Sequence, residues 1–344
     1  MSAWTSRDRF SATLAGQLPD RPPISAWRHF TEHEHGAAEL ADATVGFARR
    51  WGWDWVKINP RATYYAEAWG KVYDASDYRD VLPRQVSTPL RRPADLHSIG
   101  RLDAGASSPF HEHIEAARLV RAGLPDLPVL QTVFSPLGVV LELAGLPSFA
   151  QGAVYGAADP IPLLELLNAD RSGLHRALRA VAETLADYVN RLLSPAVGLD
   201  GIFYAVLGTA QSGLLDPAAF HELSRPYDEI VLAAADGAVR ILHTCGARSH
   251  PEWFINYPVD GVNWDQQAPG NPGLVAPFSR IAVGGVSNEL IATGTPAAVA
   301  AQTREALRAA AGRPFLLTPG CAVPIAVPDA NLAAFRSVFE EEPA

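Results

Sequence analysis

His243 and Cys245 stand two residues apart in the run Ile241–Gly246, and Cys321 lies in the later run Pro319–Ala322. Both runs read as the C-terminal ends of β-strands. Alternate residues of a strand share a face, so an imidazole and a thiol leave the first run on the same side. If Cys321 leans over the same mouth, one His and two Cys converge. That set is a three-ligand zinc site with its fourth position open, the arrangement of a catalytic site more than a structural one. A zinc ion so held is a modest Lewis acid, suited to binding a substrate thiol and lowering its pKa. A zinc-hydroxide hydrolase more often uses His and carboxylate ligands. A lone H-x-C is a weak signal, because buried cysteines and hydrogen-bonded core histidines are common. Two facts weigh against that bland reading. The chain has only two cysteines, both at strand ends, and a glycine (Gly246 or Gly320) adjoins each. Glycine there suits close backbone approach. The second nitrogen of His243 is expected to meet a carboxylate or a backbone carbonyl that fixes its tautomer.

Other side chains sit where the same mouth would be. Trp27, Arg28 and His29 follow the first predicted strand. Lys57, Asn59, Arg61, Tyr64, Tyr65 and Glu67 follow the second and read as a substrate-binding loop, with a plain surface loop as the alternative. Gln131 and Ser135 on the third strand, and Tyr204 and Gln211 near the fourth, can hydrogen-bond a ligand or equally satisfy buried backbone groups. Tyr204 and Asp265 are the catalytic candidates. His33, Glu34 and His35 read as a polar loop or helix start. His111, Glu112 and His113 fall in a predicted surface helix, where positions two apart do not share a face, and receive no role.

The elements that must position these residues are short apolar runs separated by helical segments. The runs are Pro22–Trp27, Trp55–Asn59, Val129–Phe134, Gly201–Leu207, Val239–Thr244, Gly261–Asp265, Ile281–Val286 and Pro314–Thr318. Most are continuously apolar and do not alternate, as parallel strands covered on both faces do. Amphipathic helices are expected over Arg171–Leu193, Pro217–Ala235 after an Asp216 cap, Thr295–Ala311 with Thr295 capping, and Asp329–Phe339. Eight strands alternating with helices predict a single-domain α/β fold, a (β/α)8 TIM barrel over residues 1–344. An N-terminal extension of about residues 1–20 and a helical excursion of about residues 66–126 complete it. A doubly wound sheet is the alternative, weakened by the lack of a Gly-rich phosphate fingerprint.

Composition sets the outer bounds. The chain has 344 residues, 48% hydrophobic, with eight tryptophans and a formal net charge of −9. That is globular and not disordered, and it argues against a general nucleic-acid surface. Two cysteines make no disulfide framework. The N-terminus lacks the apolar stretch of a signal peptide, and no apolar run reaches the ~18 residues of a membrane span. A cytoplasmic protein acting on a small molecule is expected.

The C-terminal half carries a resemblance. ILHTCG (Ile241–Gly246), DGVNWD (Asp260–Asp265), VGGV (Val283–Val286), GTPAAV (Gly294–Val299), FLLTPGCAVP (Phe315–Pro324) and PDANLAAF (Pro328–Phe335) together resemble the uroporphyrinogen decarboxylase superfamily. RPPISAWRHF (Arg21–Phe30) fits its first strand more loosely. The resemblance implies a (β/α)8 barrel and two functional branches, a cofactor-free porphyrinogen decarboxylase and a group of zinc methyltransferases that move methyl between a corrinoid and a thiol such as coenzyme M. In the second branch the zinc ligands lie in an H-x-C motif and a late P-G-C segment, which puts them here at His243, Cys245 and Cys321. An acidic residue near the sixth strand can be a fourth ligand, and Asp265 is the one available. The decarboxylases carry an Arg-rich segment after the first strand, where this chain has SAWRHF with Arg28 alone, and a His where this chain has Cys321. The resemblance therefore implies a zinc-dependent methyltransferase, with a decarboxylase and a non-catalytic tetrapyrrole- or corrinoid-binding barrel as alternatives. The chain lacks the D-x-H-x-x-G signature of a corrinoid carrier, so the corrinoid is expected from a separate protein. A homodimer is common in the superfamily.

Overall fold

The continuous apolar runs become strands buried on both faces. The computed structural model describes residues 4–150, 152–276 and 280–339. Its strands are β1 (Val56–Ile58), β2 (Val72–Arg79), β3 (Leu82–Ser87), β4 (Val129–Phe134), β5 (Gly201–Leu207), β6 (Val239–Thr244), β7 (Gly261–Asn263), β8 (Ile281–Val286) and β9 (Phe315–Pro319). Seven of them form one parallel sheet in the order β1-β4-β5-β6-β7-β8-β9, and β2 and β3 form a separate antiparallel hairpin.

The first predicted strand does not form as one. Ile24 makes a single parallel bridge to Leu317. The Leu317 N–H donates to the Pro23 carbonyl at 2.9 Å, and the Asp54 N–H, just before β1, donates to the Ile24 carbonyl at 2.9 Å. The segment thus touches both edge strands' ends but cannot ladder. Pro22 and Pro23 have no N–H to give.

The two faces of the sheet are different. One holds a layer of Trp55, Leu130, Phe203, Ile241, Val283 and Leu316, contributed by successive strands or the residue before them, with Trp27 among them. The N-terminal helix Ser6–Leu14 closes this layer from below, its Phe10 ring 5.5 Å from that of Trp55. Phe10 and Ala12, within the expected N-terminal extension, are therefore part of the core. The other face packs Val129, Val133, Ile202, Tyr204, Val206 and Leu242 against the helices.

The helix Arg171–Leu193 forms over its predicted span and buries Leu174, Leu178, Val181, Leu185, Tyr188 and Leu192. Thr295 and Asp216 cap as expected, accepting from Ala298 N–H at 3.2 Å and Ala219 N–H at 2.8 Å. The helix predicted over Pro217–Ala235 is two, Pro217–Leu223 and Arg225–Ala233, broken at Ser224 because Pro226 has no N–H to offer the preceding turn. The predicted helical excursion also needs correction. It contains the helix Ser108–Gly123 but opens with the β2–β3 hairpin, whose turn holds Asp80 at φ 56°. No helix among the described residues is long and apolar enough to cross a membrane.

Candidate metal centre

His243 is on β6 and Cys245 just beyond it, and both lie on the face that carries Ile241, as the two-residue spacing requires. Cys245 is held by backbone geometry. A register irregularity near Leu207 puts that residue at φ 53°, and its carbonyl accepts the Cys245 N–H at 2.9 Å. Cys321 follows β9. The Cys245 and Cys321 sulfurs are 3.4 Å apart, and Cys321 Sγ is 3.7 Å from His243 Nε2. All three donor atoms lie within 4.8 Å of one another.

These separations can be tested against a metal. A tetrahedral zinc, with bonds of about 2.3 Å to sulfur and about 2.0–2.1 Å to nitrogen, spaces its donors roughly 3.5–3.8 Å apart. The observed 3.7 Å lies in that range and 3.4 Å just below it, whereas a disulfide needs about 2.05 Å. The thiols are free.

The tautomer of His243 is set by its neighbour on β7. Asn263 Nδ2 donates to the Val283 carbonyl at 3.0 Å and to the Pro319 carbonyl at 3.3 Å. Its amide nitrogen is thereby committed, and its Oδ1 faces His243 Nδ1 at 2.6 Å. Nδ1 must carry the proton, which leaves the Nε2 lone pair aimed at Cys321. The expected carboxylate or backbone carbonyl is a side-chain amide instead. Only the requirement for an acceptor was readable in the sequence.

The glycines beside the cysteines do what was expected of them. Gly246 has φ 81°, and a Cβ there would collide with the Gln211 amide. A Cβ on Gly320 would sit 2.6 Å from Asp265 Cα. Asp265 therefore comes close to Cys321, although it is not among the three converging donors. Burial raises its carboxyl, with the Cys321 sulfur adding. Of the two thiols, Cys321 is the more readily ionised. The hydrogen bond from Cys245 pulls it down, with His243 and Lys57 helping, and the same bond holds Cys245 up.

The remaining candidates divide by strand face. Trp27 and Phe203 form an aromatic floor, and Lys57 Nζ stands over both rings at 5.2 and 4.8 Å. Lys57 also donates to Asn59 Oδ1, and burial pulls its ammonium down to about 7. The Asn59 amide nitrogen is buried without a partner. His29 lies within electrostatic reach of Lys57 and Cys321, and burial holds it at about 4. Gln211 bridges two loops, accepting from Ala150 N–H at 3.1 Å and donating to the Ala247 carbonyl at 3.2 Å. These residues surround the His-Cys-Cys cluster.

Others do not reach it. Tyr204 points to the helix layer and donates to Asp228 at 2.5 Å. Gln131 lies between Val129 and Val133, whose side chains pack in the outer core, and it is fully buried. Tyr64 packs on Tyr188 and His113, with ring centroids 6.0 and 4.0 Å away. Tyr65 donates to the Thr132 carbonyl at 2.6 Å. Arg28 turns onto Phe30 and Phe47 and donates to the Ile325 carbonyl at 2.9 Å. Glu67 is paired with Arg61 at 2.9 Å. Ser135 caps the helix Pro136–Leu143.

A profile of uroporphyrinogen decarboxylase (URO-D) matches residues 5–341. The chain belongs to the uroporphyrinogen decarboxylase family. A uroporphyrinogen decarboxylase of Synechococcus is 24% identical over 255 residues, which is 73% of this chain and 68% of that one. Among solved structures, a methyltransferase from Methanosarcina mazei superposes with a TM-score of 0.80 at 18% identity, covering 98% of this chain and 99% of that one. One of these relatives is named a decarboxylase and the other a methyltransferase, so the shared fold does not choose the reaction. The choice rests on the residues at the mouth.

Proposed function

We propose that this family member is a zinc-dependent methyltransferase that moves a methyl group between a corrinoid and a thiol or a similar soft acceptor. The observation that carries the proposal is the convergence of His243 Nε2, Cys245 Sγ and Cys321 Sγ within 4.8 Å of one another, with Cys321 3.4 and 3.7 Å from the other two donors. Zinc bound there supplies a Lewis acid that favours the thiolate of an incoming thiol. The chain's own residues make the site ready. Asn263 holds His243 in the ligating tautomer, and Lys57, in reach of both sulfurs, favours their ionised forms. Gly320 admits Asp265, which we assign as the fourth ligand when substrate is absent. Trp27 and Phe203 close the floor against water. In this reading the Ile24 segment is the eighth stave of a (β/α)8 barrel, and a separate protein brings the corrinoid to the mouth.

Decarboxylation of a multiply carboxylated tetrapyrrole needs several free cations, and the candidates here are otherwise engaged. Arg28 is folded against two rings, and Arg61 is paired with Glu67 and Glu112 at 2.9 and 2.7 Å. The test is to mix zinc-loaded protein with methylcobalamin and a panel of thiols including 2-mercaptoethanol, and follow demethylation by absorbance. Zinc-dependent methyl loss is expected. Zinc-independent decarboxylation that survives Cys321→Ser overturns the proposal, as does a coloured ligand that copurifies at fixed stoichiometry without turnover.

A further inference from the structure

A serine, a histidine and a glutamate meet on the loops beyond β5 and β6. Ser212 is in the loop after β5, and His250 and Glu252 follow β6. None of the three is a donor of the His243–Cys245–Cys321 cluster. Ser212 Oγ is 2.7 Å from His250 Nε2, and His250 Nδ1 is 2.7 Å from Glu252 Oε1. An ionised carboxylate only accepts, so Nδ1 carries the ring proton and the Nε2 lone pair accepts from the Ser212 hydroxyl. Hydroxyl, Nε2, Nδ1 and carboxylate thus follow the order of a nucleophile, its base and the group that orients the base. Both loops leave the C-terminal ends of parallel strands, where parallel sheets keep their chemistry.

The surroundings fix the base and leave the nucleophile open. The His250 ring stacks on Trp253, with centroids 4.5 Å apart and planes 7° from parallel. Its backbone is left-handed at φ 47°, a costly conformation for a residue with a Cβ. Neighbouring bonds hold it there. Ser249 N–H donates to Asn271 Oδ1 at 2.9 Å, the Ser249 carbonyl accepts from Thr244 Oγ1 at 2.8 Å, and the His250 carbonyl accepts from Trp253 N–H at 3.0 Å. Ser212 N–H donates to the Arg248 carbonyl at 3.1 Å, which ties the nucleophile's loop to that of the base. Ser212 and His250 are half-buried and Glu252 is exposed. Water can satisfy such groups, so burial does not account for their alignment. The next residue, Gly213, is exposed at φ 95°, and its N–H donates to no group among the described residues. The N–H after a nucleophile is a common donor to the oxyanion.

We propose that Ser212 and His250, with Glu252 positioning the base, form a second catalytic site that hydrolyses small carboxylic esters independently of the metal centre. Ser212 Oγ attacks the ester carbonyl carbon while its proton passes to His250 Nε2. The bond to the alcohol oxygen breaks, and that oxygen takes the proton from Nε2, leaving acyl-Ser212. Solvent water attacks the acyl carbon and gives its proton to Nε2. The bond to Oγ breaks, and Ser212 regains that proton. One ester and one water become one acid and one alcohol. Glu252 stabilises the imidazolium that forms twice on the way. A half-exposed nucleophile with one free backbone donor suits an ester, whose leaving oxygen departs more easily than an amide nitrogen.

The test mixes the protein with p-nitrophenyl acetate, once with zinc and once with a chelator. Release of p-nitrophenolate is read by absorbance, and the acetyl group is located by peptide mass mapping after an acid quench. Wild type should show a burst of about one p-nitrophenolate per chain, with the acetyl on Ser212, in both conditions. Ser212→Ala should lose burst and acetyl together. His250→Ala should slow the burst about a hundredfold, the low end of what a positioned base contributes. Glu252→Gln should slow it at saturating ester without raising the half-saturating concentration, which a loop that merely shifted would raise. Zinc binding equal to wild type in each variant serves as the check on folding. A full burst in Ser212→Ala, or acetyl on lysines alone, overturns the site. A burst that disappears with the chelator also overturns it, because the reaction then belongs to the metal centre.

Discussion

The sheet carries a buried polar cluster on each face, and the two are built to opposite ends. On the helix side, Asp228 accepts from Tyr204 Oη at 2.5 Å, Ser224 Oγ at 2.7 Å and Tyr257 Oη at 3.0 Å. Its hydrogen-bonding capacity is met from within, and no donor atom points to a shared vacant centre. On the inner face, one imidazole and two sulfurs converge, and the only strong outside bond, from His243 to Asn263, turns a lone pair inward. Burial and polarity alone therefore do not mark a site. A cluster that consumes its own donors is structure, and one that directs them to a common point is chemistry.

The largest effect that separates the two faces is metal content. Cys245→Ser and Cys321→Ser should each reduce zinc from one equivalent to near none by elemental analysis, since His243, one remaining thiolate and the Asp265 carboxylate hold the ion far more weakly than a site with two thiolates. Tyr204→Phe should leave zinc untouched. Zinc loss in Tyr204→Phe, or full zinc in either serine variant, breaks the division.

The next effect belongs to the helix side alone. Burial raises the Asp228 carboxyl to about 6, against 3.8 for the free side chain, although Tyr204, Ser224 and Tyr257 all pull it down. Between these values the folded protein holds a proton that the unfolded chain has released. Stability from this group is therefore full below about pH 4 and falls as pH rises to about 6, by on the order of 3 kcal/mol. In urea unfolding over a pH series, Asp228→Asn should flatten that fall while zinc affinity stays as in wild type. An unchanged pH slope in the variant removes the burial argument.

How much of this was legible in the sequence follows from strand physics. Seven of the eight strand spans read from apolar runs match the structure at both ends or within a residue or two, because a run buried on both faces announces itself. The same property hides which face each residue takes. In VLQTVF and GIFYAVL apolar residues stand at both parities, so nothing in them says that Gln131 and Tyr204 look outward. His243 and Cys245 could be paired because each tells the other's parity. The Ile24 segment read as a strand by its apolarity, and its prolines deny it a ladder. The hairpin was missed because VYDASDYR has no alternating apolar face, its residues being exposed or half-buried. Glu34 was passed over for the same reason, since its neighbours His33 and His35 are exposed and only the fold buries it.

The smallest effect tests the hinge of the comparison, the Asn263 amide. If the inner cluster differs from the outer one because a single acceptor sets the direction of a lone pair, then removing that acceptor should weaken the metal without removing a ligand. Asn263→Ala leaves His243 Nδ1 without its partner at 2.6 Å and frees the ring to take the other tautomer or to rotate. Partners of this kind are worth about 10–100-fold in metal affinity, or roughly 1.4–2.7 kcal/mol. The variant should therefore still bind one zinc, with its dissociation constant raised by that factor in competition against a chelating dye. It also strips a donor from the Val283 and Pro319 carbonyls, so a loss of stability accompanies it and does not by itself decide the matter. The zinc constant decides. An affinity equal to wild type means the imidazole is oriented by packing against Phe203, whose ring centroid is 5.5 Å away, and that Asn263 serves the strand ends alone.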